Sequence, residues 1–205
     1  MGITGGIGSA FLQQTINHNF QITGYYHKDL EKIDTIKASF PSVELLQIDL
    51  SNQSEVDSIM DGNYEGLLYV AGKANFSENI FDFCSDEFRI QFNINVYSFI
   101  SIIRSLVYKL RKIVIVASNI PSEIKSTYHL TKVLQENILE ILRPELNCRG
   151  VSVSIIKTDW VNTKMYAEYV LKFNGIKENV RQPEEIAKIC LEEFQDFTPF
   201  KIIVI

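Results

Sequence analysis

Short apolar runs alternate along this chain with longer segments in which apolar residues recur at three- and four-residue intervals. The runs are continuous rather than alternately polar, the mark of strands covered on both faces. They predict strands over residues 20–26, 43–48, 66–70, 112–117, 151–156 and 201–205. The periodic segments predict helices over residues 9–17, 30–38, 54–60, about 85–110, and 128–142, the last ending before Pro144. Pro183 opens a further helix that runs to Phe194, and residues 158–181 between them show a less regular pattern. Strand and helix alternate throughout, which predicts a parallel sheet with helices on both faces. The fold class is therefore α/β, a Rossmann-like doubly wound sheet, and one domain over residues 1–205 accounts for the whole length.

Composition narrows the choices. Hydrophobic residues make up 46% and charged residues 22%, an ordinary globular balance. With 20 basic and 25 acidic side chains the net charge is -5, and no basic block exceeds Arg111-Lys112, so nucleic acid is not expected as a partner. Cys84, Cys148 and Cys190 and the histidines His18, His27 and His129 are dispersed, which predicts neither a disulfide framework nor a metal site. No apolar run approaches a membrane span and no leader pattern opens the chain, so no membrane partner and a reduced, cytoplasmic location are expected.

The candidate chemistry lies at the carboxyl ends of the predicted strands, where ligands of such sheets bind. Residues 1–8 are rich in glycine and lead into a helix, an arrangement that brings backbone N–H groups up to a phosphate. Tyr128 and Lys132 are one helical turn apart, so an ammonium can sit beside a phenol and lower its pKa towards neutrality. Ser118, ending its strand ten residues before Tyr128, can hydrogen-bond the same substrate oxygen. Taken singly, each feature also has a bland explanation: a tight turn, a half-exposed tyrosine beside a solvated lysine, a helix cap at Asp49. It is their shared location that favours a site.

In these motifs the chain resembles the short-chain dehydrogenase/reductase family over nearly its whole length. The family's Thr-Gly-x-x-x-Gly-x-Gly matches Gly2, Gly6 and Gly8, with Met1 in the threonine position. Asp49-Leu50 matches its Asp-Val/Leu, and Asn-Asn-Ala-Gly is reduced to Tyr69-Val70-Ala71-Gly72. Asn95-Val96-Tyr97-Ser98 fits its helical asparagine motif, with Asn93 as the competing choice, and Thr158-Asp159 stands in place of Pro-Gly before Thr163. The gap between Ser118 and Tyr128 is shorter than usual, which tightens the loop.

The resemblance implies hydride transfer between a nicotinamide and a carbonyl or alcohol carbon. Tyr128 is then the general acid or base, Lys132 lowers its pKa and binds the nicotinamide ribose, Ser118 polarises the carbonyl, and Asn95 holds a water that extends the proton relay. Gly2, Thr4, Gly6, Ile7 and Gly8 form the phosphate loop, and Asp49 and Leu50 lie against the adenine. Ala71, Gly72 and Thr163, with Tyr128 and Lys132, complete the cofactor contacts. His27 and Lys28, at the end of the second strand, favour NADP(H) over NAD(H). Substrates are small carbonyl or alcohol compounds, for which Met165, Tyr166, Tyr169, Val170 and Phe173 offer an apolar cover or are simply helix core. Relatives pair through their long helices, so a homodimer or homotetramer is expected.

Met1 already lies within the glycine motif, so the first strand of relatives is expected to be missing from the sheet that this chain forms. Residues 201–205 are expected to form the last strand, with occupation of the first-strand position as the alternative. A degenerate, non-catalytic nucleotide-binding or regulatory protein is the rival reading. An extended-type sugar epimerase is the third, disfavoured by its glycine spacing and longer carboxyl-terminal domain.

Overall fold

Strand alternates with helix from end to end in the computed structural model, which describes residues 1–76, 84–119 and 126–205. The strands are β1 (Thr23–Tyr26), β2 (Glu44–Gln47), β3 (Gly66–Tyr69), β4 (Lys112–Ser118), β5 (Ser152–Thr158) and β6 (Phe200–Val204). The helices are α1 (Gly6–Gln14), α2 (Leu30–Ser39), α3 (Gln53–Asp57), α4 (Ser85–Phe92), α5 (Ser98–Leu106), α6 (Thr127–Cys148), α7 (Lys164–Phe173) and α8 (Pro183–Gln195). No described helix is long and apolar enough to cross a membrane.

Every strand pairing is parallel, and the pairs form two sheets, β1-β2 and β3-β4-β5-β6. The sequence pattern predicts one sheet; the division falls where the first strand of relatives would run, and no described strand lies between β1 and β3. Residues 1–3 span that seam. The Met1 nitrogen donates to Leu68 O at 2.7 Å and Met1 O accepts from Val70 N at 3.3 Å, while the amides of Gly2 and Ile3 both donate to Tyr25 O at 3.1 Å. Three residues can bridge two strand ends but are too few to make a ladder along them.

The last strand runs beside β5, with Ile203 opposite Ile156, as expected of residues 201–205. At the amino-terminal edge of the sheet, the fully buried Lys112 ammonium donates to Ser154 Oγ at 2.8 Å and to Asp196 O at 2.5 Å. Ser154 in turn donates to Glu193, whose other oxygen accepts from Lys201 on β6 at 2.8 Å. The Lys112 ammonium is thus hydrogen-bonded and Lys201 is ion-paired to Glu193 and Asp196, and together they fix β6 and the end of α8 to β4 and β5.

Along β4 the side chains divide by the two-residue period of a strand. Ile113, Ile115 and Ala117 join Phe99, Ile102, Leu106 and Leu139 on one face, while Val114 and Val116 meet Phe11, Ile186, Ala187 and Cys190 on the other. Burying each of the larger side chains contributes about 1.5–3 kcal/mol. The consequence is a rigid pair of central strands whose carboxyl ends can position chemistry.

Three sequence expectations are corrected. The segment 158–181 contains the regular helix α7. Helix α6 runs through Pro144 to Cys148, because losing one backbone hydrogen bond is outweighed by burying Leu146 and closing the end through Val151 N to Leu146 O at 2.9 Å. The predicted helix over 85–110 is interrupted by one wider π turn at Asn93–Tyr97. The tightened loop after Ser118 lies at 120–125, outside the described residues.

Candidate active site

The glycine loop is shaped by contacts that leave no space for a side chain. Gly2 has φ of +85°, and a Cβ there would lie 2.9 Å from Ala71 N. A Cβ on Gly8 would lie 2.2 Å from Gly2 O, and one on Gly6 would lie 2.8 Å from the Thr163 methyl. The loop therefore packs directly on the end of β3 and on the start of α7. The first backbone bond into α1 is Ser9 N to Gly5 O at 2.9 Å, so the N–H groups of Gly6, Ile7 and Gly8 belong to the unpaired first turn. These N–H groups and the positive helix end fit a dinucleotide pyrophosphate.

A cavity of about 360 Å³ opens in front of this helix start, over the ends of β3, β4 and β5. Gly6, Ile7, Gly8, Ala71, Gly72, Ser118, Tyr128, Lys132 and Thr163 all line it. Ser118 is brought there by β4, whose register sets it opposite Thr158. Tyr128 and Lys132 are brought by α6, capped by Ser126 Oγ accepting from His129 N at 3.3 Å. Among the described residues, no hydrogen bond engages the Ser118 hydroxyl, the Tyr128 hydroxyl or the Lys132 ammonium, which leaves all three for a ligand.

Burial sets the electrostatics. It pushes the Tyr128 phenol up to about 12, and it lowers Lys132 to about 8 against the opposing pull of Glu136 one turn further along α6. The sequence expectation of a phenol lowered by its lysine is not met in the free protein, because loss of water around the phenol dominates. Glu136 itself is anchored by Lys157 on β5 at 2.8 Å.

Asn95 does not line the cavity. It is fully buried in the π turn, where Oδ1 accepts from Lys73 N at 2.8 Å and Nδ2 donates to Lys73 O and to Thr131 Oγ1, each at 2.9 Å. Its backbone oxygen accepts from the Gln135 amide. It thus clips the segment after β3 to α6. Asn93 donates to Ser51 O at 3.4 Å.

The remaining sequence candidates lie along the edge of the neighbouring sheet. His27 Nε2 is 3.3 Å from Asp49 Oδ2, and Lys28 is exposed. Partial burial works against the Asp49 charge, yet two hydrogen bonds from Ser51 and the nearby His27 and Lys28 hold its carboxyl below the usual range. Asp29 caps α2 and pairs with Lys32 at 3.7 Å, and Lys32 donates to Thr4 O at 2.9 Å. Leu50 packs on the core, and Gly2 lies beneath the cavity rather than on its wall.

Sequence reasoning missed part of the wall. Phe76, Lys73, Asp159, Trp160, Lys164 and Glu168 line the cavity together with Met165 and Tyr166. Phe76 packs edge-on to Tyr128 at 5.9 Å and to Tyr169 at 5.3 Å, and Trp160 lies 4.2 Å from Tyr169. Trp160, the sole tryptophan and directly after β5, carried a signal that a search for polar groups passes over. Tyr169 and Phe173, 5.0 Å apart, back this aromatic wall rather than face the cavity.

Solved structures of the same fold span almost the whole chain. A short-chain dehydrogenase from Sphingobium yanoikuyae in complex with NADPH matches with a TM-score of 0.85 at 17% identity, covering 99% of this chain and 85% of the other. One from Burkholderia cenocepacia J2315 in complex with NADP matches at 0.83 and 18%, covering 99% and 93%. BdcA in complex with NADPH matches at 0.83 and 15%, covering 100% and 90%. No curated protein matches at the level of sequence. The family profile described as short chain dehydrogenase matches residues 1–173, most of the chain and every element that lines the cavity. The chain belongs to the short-chain dehydrogenase family of NAD(P)-dependent oxidoreductases.

Proposed function

We propose that this protein uses NADP(H) to reduce a carbonyl on a small apolar or aromatic molecule, or to run the reverse reaction. The observation that carries the reading is the meeting of Ser118, Tyr128 and Lys132 with the glycine-lined start of α1 in one cavity. When bound, the dinucleotide supplies a hydride at its nicotinamide ring. The chain supplies position and a proton. Ser118 donates a hydrogen bond to the substrate oxygen, and the Tyr128 hydroxyl delivers its proton to the same atom. A phenol kept protonated by burial suits the reducing direction. Lys132, with Glu136 behind it, supplies the positive charge that stabilises a phenolate once the proton has gone. Phe76, Trp160 and Tyr166 give the cavity an apolar wall that fits a carbon skeleton and keeps water from the reacting oxygen.

The preference for NADP(H) is supported by the exposed Lys28, beside His27 at the end of β1. Asp29, the nearest carboxylate in sequence to Lys28, is turned to its own helix and to Lys32, so it does not oppose a 2'-phosphate at His27 and Lys28. NADP and NADPH are also the ligands named for the solved structures above. Exposed apolar residues on the long helices, Ile90, Ile100, Leu130 and Ile141, support self-association there.

Three measurements test the reading. Tyr128→Phe is expected to lower turnover of a responsive carbonyl by about 10²–10⁴-fold while NADPH still binds, with far less change in its affinity. Binding without turnover by the unaltered protein across a broad carbonyl panel would favour the non-catalytic alternative. Lys28→Asp is expected to raise KM for NADPH at least about tenfold with little change for NADH, since it replaces a cation facing phosphate with an anion. Reduction requires Lys132 charged and Tyr128 protonated; of the two, Lys132 loses its proton first as pH rises. The kcat/KM for reduction is therefore expected to fall above about pH 8, and Glu136→Gln is expected to move that fall to lower pH.

A further inference from the structure

Asp159 stands where relatives carry the glycine of Pro-Gly, and neither the hydride-transfer chemistry nor the fold requires a carboxylate there. It follows β5 directly, it lines the cavity that holds Ser118, Tyr128 and Lys132, and its Oδ1 accepts from Asn119 Nδ2 at 3.1 Å. Asn119 N also donates to Thr158 O at 2.9 Å, so the ends of β4 and β5 are tied together at this level. Thr158 lies opposite Ser118 in register. Strand spacing and rise then put the Asp159 and Ser118 backbones within roughly 6 Å of each other.

This position bears on the cofactor. A carbonyl oxygen held by Ser118 and Tyr128 fixes its carbon a bond length away, and the nicotinamide ring must touch that carbon for a hydride to pass. A ring held to pass its hydride there would lie over the same strand ends as Asp159. In reduction the hydride and its electron pair form the new C–H bond, the carbonyl π pair moves to oxygen, and that oxygen takes the Tyr128 proton. The ring, having lost the hydride, gains one positive charge. A nearby carboxylate attracts the oxidised ring and is nearly indifferent to the neutral reduced one.

We propose that Asp159 is a specificity determinant for the redox state of the cofactor, favouring the oxidised dinucleotide and so biasing the bound couple towards hydride donation. Lys73 and Lys164 also line the cavity, and Asp159 is the acidic group tied to the strand ends beneath the ring, whereas Glu168 is carried by α7. The inference rests on the proposed binding of NADP(H).

The test is equilibrium binding of NADP+ and NADPH, each measured by calorimetry, to the full chain and to Asp159→Asn and Asp159→Gly. Asn at this position can still accept from Asn119, so the strand ends remain joined. Both substitutions are expected to raise the ratio Kd(NADP+)/Kd(NADPH) by about five- to tenfold, the effect of one exposed charge a few ångströms from another. The shift is expected to shrink at high salt. An unchanged ratio, or equal weakening of both forms, would show a merely structural role and overturn the inference. Failure of the unaltered protein to bind either form would instead overturn the cofactor assignment, and this inference with it.

Discussion

A side chain at Gly8 would put its Cβ 2.2 Å from the Gly2 carbonyl oxygen, and one at Gly2 would press on Ala71 N at 2.9 Å. This backbone-on-backbone contact holds the rest of the site in place. It seats the start of α1 directly above the end of β3, and the hydrogen bonds of residues 1–3 to Leu68, Val70 and Tyr25 carry the same contact across to the second sheet. The glycine loop therefore touches both described sheets. The loop's alignment with Ser118, Tyr128 and Lys132 depends on three residues staying paired on both sides.

Much of this could be read from the sequence, because its clearest signals are local. Apolar runs with turn residues after them gave the order of strands and helices, and the topology of such sheets gathers strand ends at one edge. Gly6, Gly8, Ala71, Ser118, Tyr128, Lys132 and Thr163 are far apart in the chain yet line one cavity for that reason. What was hidden depends on contacts between distant elements. Pro144 reads as a helix stop, but the burial of Leu146 carries α6 past it. Lys112 opens a strand in the sequence, and only the fold shows its ammonium donating to Ser154 Oγ and Asp196 O in the interior. Asn95 reads as a helical asparagine, and its Lys73 and Thr131 partners come only with the π turn.

Burial and charge work against each other in the cavity. Loss of water keeps Tyr128 protonated and weakens the hold of Lys132 on its proton, and Glu136, anchored by Lys157, partly restores that hold. The result is a protonated phenol one helical turn from an ammonium whose charge Glu136 supports. Asp159 lies at the same strand ends as Ser118. Thr158 and Asp159, which differ from the family pattern, thus lie at these strand ends, while Phe76, Trp160 and Tyr166 give the cavity an aromatic wall.

The seat of the dinucleotide is tested most directly by hydrogen–deuterium exchange of the backbone amides with and without saturating NADPH. Slower exchange is expected at residues 5–8, 71–73, 128–132 and 158–164, with no change at the opposite edge of the sheet around Lys112, Ser152 and Lys201. Protection confined to that opposite edge, or none at residues 5–8, would contradict a pyrophosphate held by the start of α1.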